Sequence, residues 1–382
     1  MSNLSVNSIE AHFKNLPDPR RKNLNIRHDF YDILVISICA VIAGADDCVS
    51  MAAYGRCKIK WFSRFLKLEN GIPSHDVFNR VISTINTEKF QECFISWVSS
   101  ICTVLPGEVV AIDGKSLRRS HDKNRELKAT HIVSAWANSN KMVLGQIKTE
   151  EKSNEITAIP KLLDMLELSG CLVTIDAMGC QKNIVKTIVE NNADYLIAVK
   201  DNQPKLYEEI KDRFASCELE KPLELDKKID FSETQENGHG RKEKRRCWVI
   251  NDCELSMSEE WKKLNAVVMI ESTRIINGVV GIDHRYFITS SNRGAKYILK
   301  STREHWGIEN TLHWVLDIAF REDECRIRKG NGAANFSMLR HISTNLLKKN
   351  KLKLGIKNKR LKAGWDDAYM AELLLGLKGS MS

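Results

Sequence analysis

No two of the eleven cysteines in this 382-residue chain are spaced C-x2-C. Structural zinc and a disulfide framework are therefore both disfavoured, and reduced core thiols in a reducing cytoplasm are the expectation. The opening MSNLSVNSIEAHFKNLPDPRRK has no apolar signal core, so secretion is not expected. Long apolar runs are also missing. The longest covers residues 33–45, bracketed by Asp29, Asp32, Asp46 and Asp47. At 13 residues it falls short of the roughly 20 that a membrane span needs, so a buried helix is predicted. With only 7 Pro and 20 Gly, no internal repeat and no low-complexity block, collagenous and disordered classes are excluded.

What is present is a globular composition, 43% hydrophobic and 28% charged, with length for two or three structural units. The net charge of +9 is uneven: residues 301–382 hold 15 Lys and Arg against 9 Asp and Glu. Residues 348–362 hold eight basic side chains and no acid. Such asymmetry fits a polyanionic partner, most simply nucleic acid, or only a solvated face.

Along the chain, residues 1–106 read as helical, with apolar spacing over 33–43, 77–85 and 90–104. Ser74 is a predicted N-cap with Asp76 in the first turn, and the break at 71–73 allows a helix-turn-helix. Strands are predicted at 108–113, 131–137, 142–148, 171–176 and 194–200, with helices at 155–168, 181–191 and from Pro204. A polar stretch, 201–245, precedes β segments at 247–250, 265–274 and 279–289, with Asn277-Gly278 as a hairpin signal. Helices follow at 301–320, 331–347 and 366–377. This order predicts an α/β protein, a mixed sheet flanked by helices, behind a helical N-terminal region.

Two acids share one context. Asp113 and Asp176 each end a predicted buried strand and are followed by small or flexible residues, Gly114 and Ala177-Met178-Gly179. Active sites of α/β sheets gather at strand ends, and two carboxylates there repel unless a hard cation lies between them. Each is otherwise a plain turn residue. In 303–328, REHWGIENTLHWVLDIAFREDECRIR, Ile308, Leu312, Val315 and Ala319 form a core stripe, with His305, Glu309 and His313 beside it. Glu309 is placed to join the aspartates. His305, Glu309 and His313 alternatively form a zinc site or a plain polar face. Trp248 is either a base-stacking residue or sheet core.

The runs AIDGKSLR (111–118), HIVSAWA (131–137), EKSNEITAIPKLLD (151–164), VTIDAMGCQ (173–181), DYLIAVKDNQ (194–203), HGRKEKR (239–245) and 303–328 resemble the H-repeat-associated group of bacterial insertion-sequence transposases. PDPR (17–20), RHDFYDIL (27–34) and GIPSHDVFNRV (71–81) resemble the domain that accompanies that core. The resemblance implies a ribonuclease-H-like core whose Asp-Asp-Glu triad, here Asp113, Asp176 and Glu309, holds two Mg2+ or Mn2+ ions. It implies DNA strand cleavage and transfer at element ends without a covalent protein–DNA intermediate, on double-stranded DNA, with a homodimer on the DNA and a cytoplasmic, nucleoid-associated location. Lys115, Arg241, Arg245, His305, Arg326 and Arg328 are the candidate DNA contacts.

The expected organisation is a helical domain (1–106), a catalytic core in two parts (107–200 and 295–347), a β-rich insertion between them (201–294) and a basic tail (348–382). The chain departs from the wider pattern Tyr-x2-Arg-x3-Glu-x6-Lys, with Thr302, His305 and Leu316 at the Tyr, Arg and Lys positions, and Asp201 stands where the group commonly has Gly. These departures keep open a decayed or repurposed DNA-binding protein, and a nuclease that cuts without joining.

Overall fold

The apolar run of residues 33–45 sets the centre of the helical region. In the computed structural model, which describes residues 7–21, 26–121, 128–150, 155–216, 229–238, 241–251, 255–276 and 278–375, six helices come first. They are α1 (Asn7–Phe13), α2 (Phe30–Ala43), α3 (Cys48–Cys57), α4 (Ile59–Phe62), α5 (His75–Thr84) and α6 (Thr87–Ile101). Helix α2 is capped by Asp29, whose carboxylate accepts from the amides of Tyr31 at 2.7 Å and Asp32 at 3.4 Å. It stops at Gly44, whose φ of 117° few other residues adopt. Every residue from Asp32 to Ile42 is buried, and each buried Ile, Leu or Val there contributes about 1.5–3 kcal/mol. Ser74 caps α5 as predicted, accepting from the Val77 amide. No single helix among the described residues is long and apolar enough to cross a membrane.

The chain then builds β1 (Val109–Ser116), β2 (His131–Ala137), β3 (Met142–Lys148), α7 (Glu155–Asp164), β4 (Leu172–Ile175), α8 (Lys182–Glu190), β5 (Asp194–Val199) and α9 (Pro204–Ala215). Next come β6 (Ile229–Gly238), β7 (Arg241–Asn251), β8 (Ala266–Ile276) and β9 (Val279–Thr289). All nine strands form one sheet in the order β3-β2-β1-β4-β5-β9-β8-β7-β6. The β1–β4 and β4–β5 pairs are parallel and the other pairs antiparallel. The first five strands make the ribonuclease-H-like mixed sheet of the expected fold class. The β-rich stretch does not close on itself; β9 pairs with β5 and carries the same sheet outward. Gly278, with φ of 81°, lies in the short link between β8 and β9; Asn277, the other half of that hairpin signal, lies outside the described residues.

Strand β6 and the charged first half of β7 fall inside the stretch read as merely polar. Their outer ends are solvated, so no hydrophobic alternation marks them. Trp248 is sheet core rather than an exposed stacking platform: it is 3% exposed, with its ring 5.3 Å from that of Phe231.

Helices α10 (Ala295–His305), α11 (Trp314–Phe320), α12 (Gly332–Lys349), α13 (Ile356–Trp365) and α14 (Asp367–Leu375) complete the chain. Between α10 and α11, residues Ile308–His313 form a π turn. A π turn adds one residue to the helical repeat, which moves the core stripe. Ile308, Leu312, Leu316 and Phe320 are the fully buried set, with Val315 beside them and Ala319 only partly covered.

Within the C-terminal segment, α13 brings basic side chains back to the core. Arg360 is buried and donates to the carbonyls of Val41 at 2.8 Å and Ile42 at 3.4 Å, and to that of Ala319. Its guanidinium lies 4.0 Å from the centre of the Phe320 ring. Lys359 donates to the carbonyls of Leu347 and Asn350, at 2.8 and 2.6 Å, closing the end of α12. Asn345 mimics a strand partner, bonding both the amide and the carbonyl of Val143 on β3 at 2.9 Å. The N-terminal helices, the sheet and the C-terminal helices thus share one hydrophobic core.

Candidate active site

Strand β1 pairs with β4 only from Val109↔Leu172 to Ile112↔Ile175. Asp113 is the first β1 residue beyond the end of β4, so its carboxyl emerges where the two parallel strands part. The predicted strand end at Asp113 is overrun by three residues because β2 still supplies partners, from Asp113↔Ser134 to Ser116↔His131. Asp113 Oδ1 accepts from the Gly114 amide at 2.9 Å. Burial pushes its carboxyl up to about 7, and the negative charges of Glu155, Glu309 and Asp176 add to the effect.

Asp176 follows β4 directly and starts a 3-10 turn, its Oδ1 accepting from the amides of Met178 at 3.0 Å and Gly179 at 3.4 Å. Its side chain opens towards a groove, yet enough protein surrounds it that desolvation raises its carboxyl, with Glu155 adding to the rise. Glu309 lies on the exposed side of the π turn whose other side buries Ile308 and Leu312. Desolvation and the charge of Asp176 raise it, while Arg285 opposes. The three acids therefore lie within one another's fields, on β1, after β4 and on the π turn.

Two histidines flank them. His313 Nδ1 is 3.5 Å from Asp113 Oδ2, and His305 Nδ1 is 3.0 Å from the Thr174 hydroxyl. Burial drives both rings down to about 4, so both are neutral at physiological pH and neither forms a true ion pair. The zinc reading of His305, Glu309 and His313 gains nothing from this geometry, because the two rings turn to different strands.

A groove of about 800 Å³ runs past Asp176 and Glu309, lined also by Lys200, Arg245, Arg274, Arg285, Arg303, His305 and Trp306. Of the candidate DNA contacts, Arg245 and His305 are on this wall. Arg245 pairs with Glu243 at 2.7 Å, and Arg303 pairs with Glu236. Lys115 turns inward instead. Its ammonium meets Asp317 at 2.6 Å, Asp323 at 3.1 Å and Glu322 at 3.2 Å, so its charge is used within the protein. Arg326 and Arg328 are exposed but do not line the groove; Arg328 donates to the Arg119 carbonyl at 3.0 Å. Arg241 opens β7, and its side chain lies outside the described residues. Leu316 is in the core and Thr302 donates to the Leu299 carbonyl, so the residues at the pattern's Lys and Tyr positions offer no charge to a phosphate.

Glu155, the first residue of α7, went unnoticed in the sequence beyond its place in the run EKSNEITAIPKLLD. No periodicity singles it out, and only the fold brings it beside Asp113. In donor chemistry the acids fit a hard divalent cation: all are carboxylates, and each is destabilised by the others. As arranged here, no three Asp, Glu, His or Cys side chains among the described residues already form a cage for an ion.

Comparison with known families matches residues 105–346 to the model described as Transposase DDE domain. The chain belongs to the DDE transposase family. In this transposase, residues 10–98 also match the DDE_Tnp_1-associated model. It is 40% identical to the putative transposase YncI of Escherichia coli O157:H7 over 97% of this chain and 95% of that one. It is likewise 40% identical to the H repeat-associated putative transposase YhhI of Escherichia coli (strain K12), over 98% and 99%. A solved piggyBac transposase synaptic complex with hairpin DNA aligns with all of this chain and 80% of that chain, at a TM-score of 0.45 and 12% identity.

Proposed function

We propose that this transposase cuts DNA strands at the ends of an insertion sequence and joins them to a target, with Asp113, Asp176 and Glu309 holding two Mg2+ or Mn2+ ions. The observation that carries the reading is the gathering of three mutually repelling carboxylates beside a groove whose wall is arginine-rich. Like charges so arranged cost stability and are retained where a cation or a reaction uses them. Bound divalent ions would supply Lewis acidity for in-line displacement at phosphorus. The chain's own part is to hold and orient the DNA. Lys200, Arg245, Arg285 and Arg303 face the phosphates along the groove. His313, neutral beside Asp113, keeps water from that carboxyl without adding a competing positive charge. Double-stranded DNA is the partner, and pairing of two ends implies a homodimer on it.

The test is cleavage and joining of DNA carrying the flanking element ends, with Mg2+ or Mn2+ against EDTA, in wild type and Glu309→Ala. Metal-dependent joining by wild type alone supports the reading. Leu316 in the core and a neutral His305 remove two charged positions of the wider pattern, which favours a second reading, a protein that holds DNA without cutting it. Binding without cleavage by either protein selects that one, and cleavage without joints selects a nuclease.

A further inference from the structure

Gly114 follows Asp113 on β1, and a Cβ there would overlap the carboxylate of Glu155 and Nε2 of His131. The strand is bare at this point so that those two side chains can lie across it, directly beside the first acid of the triad. They are bonded to each other: His131 Nε2 is 2.7 Å from Glu155 Oε1. Nδ1 of the same ring is 2.9 Å from the Ser116 hydroxyl. An ionised carboxylate only accepts. Nε2 therefore carries the hydrogen towards Glu155, and Nδ1 shares its hydrogen bond with the Ser116 hydroxyl. Both members are largely sheltered, at 25% and 20% side-chain exposure, so the orientation is held.

We propose that Glu155 is a fourth carboxylate of the acid centre, turned towards the same divalent ion as Asp113, with His131 as its positioning residue. This rests on the metal reading above and adds a residue to it. Three observations support it. Glu155 sits at the start of α7, where the positive helix end favours an anion. Its charge adds to the raising of Asp113 and Asp176 alike. Only one of its oxygens is taken by His131, and a ligating carboxylate fixed through its other oxygen by a hydrogen-bond donor is the arrangement by which surrounding groups orient metal ligands.

The test is Mn2+ binding to the full-length protein by isothermal titration calorimetry, with thermal unfolding of each variant in EDTA run alongside. Glu155→Gln is expected to weaken Mn2+ tenfold or more without lowering the unfolding temperature, since it removes a repelling charge. His131→Gln, which keeps a side-chain donor, is expected to lose only a fewfold. If Glu155 merely started its helix, Glu155→Gln would melt earlier and bind Mn2+ as wild type does, and that result overturns the proposal. Should Glu155→Gln fail to fold, Glu155→Asp decides: the shortened carboxylate must bind Mn2+ measurably more weakly, and unchanged affinity overturns the proposal. Failure of the parent reading looks different, because wild type itself would then bind no Mn2+.

Discussion

The two ends of the nine-stranded sheet handle charge in opposite ways. On the outer ribbon of β6–β9 several charges meet an opposite one across the strands. Lys244 meets Glu233 at 2.9 Å, Arg274 meets Glu243 at 2.8 Å, and Arg246 meets Glu271 at 3.5 Å. At the inner end, Asp113, Asp176 and Glu309 are each raised by burial and by neighbouring carboxylates, Glu155 among those acting on the two aspartates. The ribbon's ladder is what solvated strands need to stay paired and soluble. The inner cluster opposes folding, and such local conflict is the physical mark of a working site. Charge density alone does not separate the two regions; the sign of the neighbour does.

The sharpest way to break this contrast is Asp113→Asn. Cleavage should fall below detection, while stability in EDTA rises by about 1 kcal/mol as a repulsion is removed; a loss of stability would make Asp113 an ordinary structural acid. Glu322 offers the opposite case, an acid buried more deeply but paired. Burial alone would raise its carboxyl, yet Arg340 and Lys115 outweigh that and hold it below the usual range. Glu322→Ala should therefore cost about 3–5 kcal/mol in urea unfolding, since it strands the buried Arg340 charge while Lys115 keeps Asp317 and Asp323.

The pH dependence separates the same two acids. Asp113 has a folded value of about 7, above its unfolded value, so the folded protein keeps a proton that the unfolded chain releases. Stability of the metal-free protein is then greatest below about pH 4 for this group and falls towards pH 7, on the order of 4 kcal/mol. Asp113→Asn should flatten that slope in denaturant midpoints recorded across pH. The smallest effect belongs to the ribbon, where Lys244→Ala should stay within about 0.5 kcal/mol. A larger loss would mean that its charges act as a network.

The same contrast sets what could be read from the sequence. Strands β2 and β3 match their predicted bounds because buried runs flank a polar turn at Asn138–Asn140. Helix α2 was legible from its apolar run. The first and second aspartates stood out because buried strands led into them. In the outer ribbon β8 and β9 were legible from their β-rich segments and the turn between them, whereas β6 and the charged first half of β7 were not, since their solvated ends have no alternation to detect. The π turn escaped as well: a stripe drawn with straight α-helical spacing picks Ala319, whereas one added residue brings in Phe320. Glu155 depends on a contact between α7 and β1 that no local pattern encodes. Lys115 appeared to be a phosphate ligand only because its three acidic partners are some 200 residues further along the chain.

Arg360 ties α13 to the carbonyl end of α2 across 318 residues of chain. At roughly 5–20 residues per second of synthesis, the most apolar helix of the protein waits about 15–60 s for that clasp. Throughout that interval its inward surface is open to other chains. The yield of folded protein in a cell should therefore depend on chaperone supply and growth temperature, and mutations in the last helices should be felt first as aggregation of newly made protein.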